Sequence, residues 1–215
     1  MSIASHSNDP FAVIDGKTMP SLPMTEDEFV AWCDEDIKAE WVDGRVIVMA
    51  AASLIHVELT DFLSRLMGAF VESRSLGKVL SSEFQVRLPP DGRRRVPDLL
   101  FVAKNHLKNL QVLHLEGAPD LAVEIVSPDT IERDWREKYR EYQTAGVREY
   151  WIVDPLKRHV AAFALAGPRG YQPIQEVRGK IASGVLPGFY VKPQWLWRDE
   201  LPKIQLVLRE ILRGR

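Results

Sequence analysis

The chain carries a single cysteine, Cys33, among its 215 residues. No disulfide can close within it, and a metal site built on paired cysteines is excluded. Such cysteine usage fits a reducing compartment. Long apolar runs are missing as well: none approaches the roughly 20 residues that a membrane-spanning helix needs. The opening residues, MSIASHSNDP, lack the basic start and apolar centre of a secretory leader. These absences lead to the expectation of a soluble, cytoplasmic protein. A strong charge of either sign is also lacking, since the net charge is −2. That balance does not advertise a nucleic-acid binder, but a local basic surface is all that such a protein needs. One local cluster exists, Arg93-Arg94-Arg95, which reads as a solvated turn that could contact phosphate.

What is present suffices for a globular core. With 46% hydrophobic and 27% charged residues, the chain can bury one domain with extensions. Residues 1–23 have little periodicity and read as a flexible arm. A domain is expected over 24–198 and a terminal helix over 199–215. At Thr25, the run TEDE has the pattern of a helix start with an acidic first turn, extending to about Asp34. AEWV and RVIVMA, joined by Asp43-Gly44, predict a hairpin with a two-residue turn. Residues 54–73 predict an amphipathic helix with Ile55, Leu59, Phe62, Leu63, Leu66 and Phe70 on one face. KVLSSEFQVRL reads as one bent or two short strands, RVPDLLFV and LAVEIV as strands, and EYWIVD as another. Residues 105–116 are ambiguous. A helix is expected over 131–145 with Gly146 as its C-cap, and a further hairpin after Asp154. Strands interleaved with helices imply an α/β fold around a mixed sheet.

Three charges stand where charges are costly. Asp98 interrupts VPDLLFV, sharing a strand face with Val96, Leu100 and Val102. Glu124 interrupts LAVEIV beside Ala122 and Val126. An isolated carboxylate within a sheet must be paired, protonated or bound to a metal. At 100° per residue, Lys138 falls in the middle of the inward face of the 131–145 helix, with Asp134, Trp135, Tyr142 and Ala145. Arg133, Arg136, Glu137, Arg140 and Glu141 take the solvent side. Two carboxylates and an amine suit Mg²⁺, which binds through one or two carboxylates and keeps several waters. They also suit hydrolysis of a phosphodiester, with the lysine placing water or opposing charge on phosphate. A purely structural acid–lysine pair fits the same pattern. Glu40 and His56 are further candidates, with a strand-edge charge and a helix-end histidine as the plainer readings. Gln85 is a weaker one.

These segments together resemble the Uma family of restriction endonucleases, a group within the PD-(D/E)XK nuclease superfamily. The resemblance rests on AEWVDGRVIVM with the later His56, on VPDLLFV, on LAVEIVSPDT, on RDWREKYREYQTAGVREYWIVDP, and on LPGFYV. It spans about residues 24–195. It implies an α-β-β-β-α-β restriction-endonuclease-like core, flanked by the N-terminal hairpin and C-terminal extensions. It further implies a divalent metal at Asp98 and Glu124, with Mn²⁺ able to replace Mg²⁺, and DNA as the partner. The common superfamily pattern places a lysine two residues after the second acid. Here that position is Val126, and the resemblance assigns the amine to Lys138 on the following helix. Glu40 and His56 match positions that the family retains, with Glu40 a candidate extra metal ligand. The function expected is a metal-dependent DNA endonuclease acting as a homodimer. The alternatives are a catalytically silent nucleic-acid-binding module on the same fold, and an assembly protein using its terminal helix.

Overall fold

The computed structural model describes residues 13–14, 17–18, 22–34, 37–81, 83–128 and 130–213. The arm expected at the N-terminus falls largely outside the described residues. Within it, β1 (Val13–Ile14) pairs antiparallel with β2 (Lys17–Thr18).

Helix α1 (Glu26–Trp32) begins as the sequence predicts. Thr25 caps it, and Glu28 returns the bond to the Thr25 backbone N–H in a capping box. It ends at Trp32, short of Asp34. Strands β3 (Ala39–Val42) and β4 (Arg45–Val48) form the expected hairpin. Asp43 and Gly44 both have positive φ, 50° and 84°, as a type I′ turn requires. Helix α2 (Leu54–Arg74) follows, capped by Ser53 and closed by Ser75 in the left-handed region.

The next segments divide between two sheets. Strand β5 (Gly77–Ser81) enters one sheet, whereas β6 (Gln85–Leu88) and β7 (Arg93–Arg95) enter the other. RVPDLLFV is therefore not one strand. It breaks at residues 96–98, and β8 (Leu99–Ala103) belongs to the first sheet. The ambiguous 105–116 region resolves into a 3₁₀ turn, Lys104–Asn109, and β9 (His114–Glu116). After β10 (Leu121–Ile125) the chain makes a π-helical turn, Arg133–Glu137, that runs directly into α3 (Lys138–Ala145), with Gly146 as C-cap. Then come β11 (Glu149–Asp154), β12 (His159–Leu165), β13 (Tyr171–Pro173), β14 (Ile181–Ala182) and β15 (Tyr190–Val191). A short α4 (Pro193–Leu196) precedes α5 (Ile204–Arg213), which begins five residues later than the sequence pattern suggests.

The larger sheet has the order β13-β12-β11-β10-β8-β5. Only β10 and β11 run parallel, joined by α3 as a crossover. The succession α2, β5, β8, β10, α3, β11 is the α-β-β-β-α-β core, so the fold is mixed α/β as expected. The smaller sheet has the order β4-β3-β7-β6-β9. Gly77 is required at the start of β5: its φ is +155°, and a Cβ there would lie 2.0 Å from the Val102 carbonyl oxygen.

Strand alternation decides what faces the site. Leu121, Val123 and Ile125 join Leu99 and Phe101 against Leu59, Leu63, Leu66 and Phe70 of α2. Val207 and Ile211 of α5 add to that layer. Ala122 and Val126 point the other way, with Leu100, Val102, Tyr150 and Ile152, toward Tyr142 of α3 and Val86 and Leu88 of the smaller sheet. Ile55, expected on the buried face of α2, is 43% exposed: it lies in the first turn, ahead of the buried residues that begin at Leu59. No helix among the described residues is long and apolar enough to cross a membrane.

Candidate active site

Asp98 and Glu124 have the same parity as the residues facing α3. The β8–β10 pairing sets Leu100 against Ala122 and Leu99 against Val123. Continued by one residue, this register brings Asp98 opposite Glu124. Asp98 sits one residue before β8 rather than within it, in the segment crossing between the sheets. Its side chain replaces the missing ladder bond: Oδ2 accepts the Ile125 N–H at 2.7 Å. Its Oδ1 lies 3.0 Å from Nε2 of His56, in the first turn of α2. An ionised carboxylate only accepts, so this contact places the imidazole proton on Nε2.

Lys138 is the first residue of α3 and is 2% exposed. Its ammonium lies 2.8 Å from Glu124 Oε2, 3.4 Å from Glu40 Oε1 and 3.5 Å from Asp134 Oδ1. The Tyr142 hydroxyl, one helical turn further on, donates to Glu124 Oε1 at 2.7 Å. Direct contacts thus join Glu40, Glu124 and Lys138, while His56 and Asp98 form a second pair that the strand register sets beside Glu124. Gln85 joins neither. Its amide contacts Cys33, the Ala39 carbonyl and Arg94 in the smaller sheet.

Glu40 is wholly buried, not a strand-edge charge. Its Oε2 accepts from Arg95 at 2.8 Å and its Oε1 from the Val96 N–H at 3.1 Å. With Lys138 also beside Oε1, both oxygens are engaged by protein donors. Arg95 in turn makes a two-point contact with Glu141, at 2.7 and 2.8 Å. This overturns two expectations. Arg93-Arg94-Arg95 is a strand whose last residue is fully buried, not a solvated turn: Arg93 pairs with Asp43, Arg94 with Glu26 and Arg95 with Glu40. Glu141 leaves the solvent side of its helix to reach Arg95.

Burial and charge together shape the ionisation of the group. Burial pushes Glu40 up, but Lys138, Arg95 and Arg133 outweigh it and hold the carboxyl at about 2. Glu124 goes the other way. Burial raises it, the Lys138 ammonium opposes, and the charges of Asp134, Asp98 and Glu40 carry it to about 8. Asp134 is raised by burial against the pull of Lys138. Burial pushes Lys138 down, but Glu124, Glu40 and Asp134 raise it above the ordinary lysine value. Four carboxyl groups therefore share this space with Lys138, Arg95 and Arg133, and Arg95 is also committed to Glu141. The interior holds more acids than cations.

A divalent ion fits that surplus. Asp98 and Glu124 supply only oxygen donors, which suit Mg²⁺. Each carboxylate oxygen has two acceptor positions, and each oxygen of Asp98 uses one on the contacts described. No group of three or more His, Cys, Asp or Glu that could enclose a metal ion occurs among the described residues. A pair of carboxylates completed by water is, however, a sufficient set for Mg²⁺.

The family model described as Uma2, "Putative restriction endonuclease", matches residues 26–194. The chain belongs to the Uma2 family. Its core is similar to the crystal structure of a "putative nuclease belonging to DUF820" from Anabaena variabilis, with a TM-score of 0.69 at 16% identity. That match covers 81% of this chain and 98% of the other; at this identity it speaks for the fold. The uncharacterized protein sll1609 of Synechocystis sp. is 25% identical over 133 residues, 61% of this chain and 75% of its own length. All elements of the site lie within the Uma2 match.

Sequence reasoning left three members of the group without a role. Asp134 and Tyr142 flank Lys138 at helical spacing on the same inward face, a signal that was available. Arg95 was masked by its two basic neighbours, and only the strand pairing shows that it points inward.

Proposed function

We propose that this Uma2 protein is a metal-dependent endonuclease that hydrolyses DNA phosphodiester bonds. One observation carries the reading: an acid on β10, an acid at the residue before β8 and an amine from the crossover helix are brought to one buried, acid-rich region. Asp98 and Glu124 would hold Mg²⁺, with Mn²⁺ as a substitute. Bound there, the ion supplies Lewis-acid polarisation of the phosphodiester and a more acidic water.

The chain's own residues do the rest. His56 orients Asp98 through Oδ1, while the Ile125 N–H fixes the second oxygen. Tyr142 orients Glu124. Lys138, brought in by the first turn of α3, stands beside the attacking water and opposes the charge that grows on phosphate. Glu40 acts on Lys138 instead of joining the metal: two cations, Arg95 and Lys138, and the Val96 N–H hold its oxygens, whereas Glu124 faces one cation and the Tyr142 hydroxyl. Two copies related by a two-fold axis would present one site to each strand of a duplex, in a cytoplasmic setting.

Cleavage of supercoiled plasmid with Mg²⁺, Mn²⁺ or chelator tests this reading, together with calorimetric titration of the ions. Metal-dependent nicking that disappears in Asp98→Ala and Glu124→Ala supports it. DNA binding with neither metal uptake nor cleavage would favour the catalytically silent module.

A further inference from the structure

The amine of Lys138 occupies Glu124 Oε2 at 2.8 Å. A cation arriving at Glu124 meets a resident positive charge. Two like charges at one buried carboxylate repel strongly in a poorly screened interior. Either the ion is refused or the ammonium moves.

The structure holds a place for it to go. Asp134 is 2% exposed, and its Oδ1 accepts no hydrogen bond. That atom lies 3.5 Å from the Lys138 ammonium, one turn upstream on the same helical face. A buried carboxylate oxygen without a donor is unusual and calls for a reason. The rest of Asp134 is firmly set: its carbonyl accepts from the Tyr150 hydroxyl at 2.9 Å, and its N–H donates to the Thr130 carbonyl at 2.8 Å. The residue also lies within the π-helical turn Arg133–Glu137. Turns of this kind occur frequently at functional sites. Glu40 Oε1, 3.4 Å from the same ammonium, offers a second acceptor.

Building on the metal-dependent reading, we propose that Asp134 is a positioning residue that receives the Lys138 ammonium when a divalent ion takes Glu124. In the metal-free protein the Lys138 ammonium rests against Glu124. On loading, the ammonium moves across to Asp134 Oδ1 while staying beside Glu40. It then no longer occupies an oxygen of a residue that would hold the ion. The unfilled oxygen of Asp134 is the empty half of a two-position seat.

A double-mutant cycle read by calorimetric Mn²⁺ affinity tests this. Asp134→Asn should weaken binding about tenfold or more, as loss of an outer partner of a metal ligand does. Lys138→Met should tighten it, because the competing cation is gone. The deciding variant combines the two. Without the lysine, Asp134→Asn should leave the affinity of Lys138→Met unchanged. A structural pairing alone would move the melting temperature of the metal-free proteins but not this pattern of affinities. Equal weakening in both backgrounds would overturn the proposal, since Asp134 would then act on the ion directly. No weakening in the single variant would overturn it as well. If Lys138→Met does not fold, Lys138→Gln keeps the donors without the charge and completes the same cycle. Absence of Mn²⁺ uptake by the unmutated protein would instead sink the metal-dependent reading, and this inference with it.

Discussion

Lys138 and Glu124 form an ion pair of 2.8 Å in which each residue is 2% exposed. Their attraction is offset by the cost of removing both from water, so the pair contributes little net stability, yet breaking it is expensive. Lys138→Met should destabilise the metal-free protein by about 3 kcal/mol, read from urea unfolding at pH 8. At pH 5 the loss should shrink, because a protonated Glu124 needs no partner.

The two buried glutamates set opposite pH limits on stability. Glu40 falls from an ordinary 4.5 to about 2 on folding. Its contribution is therefore complete above pH 4.5 and disappears as pH drops through 2. Glu124 rises from 4.5 to about 8. Its contribution is complete below pH 4.5 and is lost as pH climbs through 8. Each limb is worth a few kcal/mol by linkage. Unfolding midpoints measured from pH 2 to 9 should fall at both ends. Saturating Mg²⁺ should lift the alkaline limb, since it stabilises the ionised Glu124. An alkaline limb indifferent to Mg²⁺ would count against metal at this residue.

Removing either acid should end metal-dependent cleavage. Asp98→Ala and Glu124→Ala should each lower it by at least about a hundredfold, given that loss of a mere outer partner costs 10–100-fold. Circular dichroism should show secondary structure retained in both. Cleavage at the original rate in either variant would remove that residue from the ligand set.

His56 contacts Asp98, so under the proposed function its loss should appear in metal affinity before it appears in stability. His56→Ala should weaken Mn²⁺ binding about tenfold. Its side chain is 18% exposed, and the melting temperature should change little.

Arg95 holds two acids together in a fully buried position. Arg95→Met strands Glu40 beside Lys138 and frees Glu141. A loss of about 3–5 kcal/mol is expected, read from thermal unfolding at pH 7. Lys in its place should rescue only part, because one ammonium cannot reproduce a forked contact with two carboxylates.

Much of the core was legible from local patterns. The capping box at Thr25, the Asp43-Gly44 turn and the apolar face of α2 all follow from near-neighbour chemistry. The inward position of Lys138 survived the π-helical turn because that turn precedes the lysine instead of separating it from Tyr142. What the pattern hid was long-range. RVPDLLFV reads as one strand because nothing within it shows that its two ends pair in different sheets. Arg95 and Glu141 look like solvent charges until the smaller sheet brings them within 3 Å of each other. Ile55 looks buried because periodicity does not tell which turn of a helix has neighbours to cover it. The route from Asp134 to Lys138 was visible as helical spacing, but its empty oxygen is a matter of packing.

The crossing at residues 96–98 has a mechanical corollary. It is three residues long and pinned at both ends, by the Val96 N–H on Glu40 and by Asp98 on the Ile125 N–H. So short a tether has no slack. A tilt of the smaller sheet, as from a remote substitution, would load this tether and be opposed at Asp98 by its bond to the Ile125 N–H. The hold on one acid is thereby answerable to both sheets.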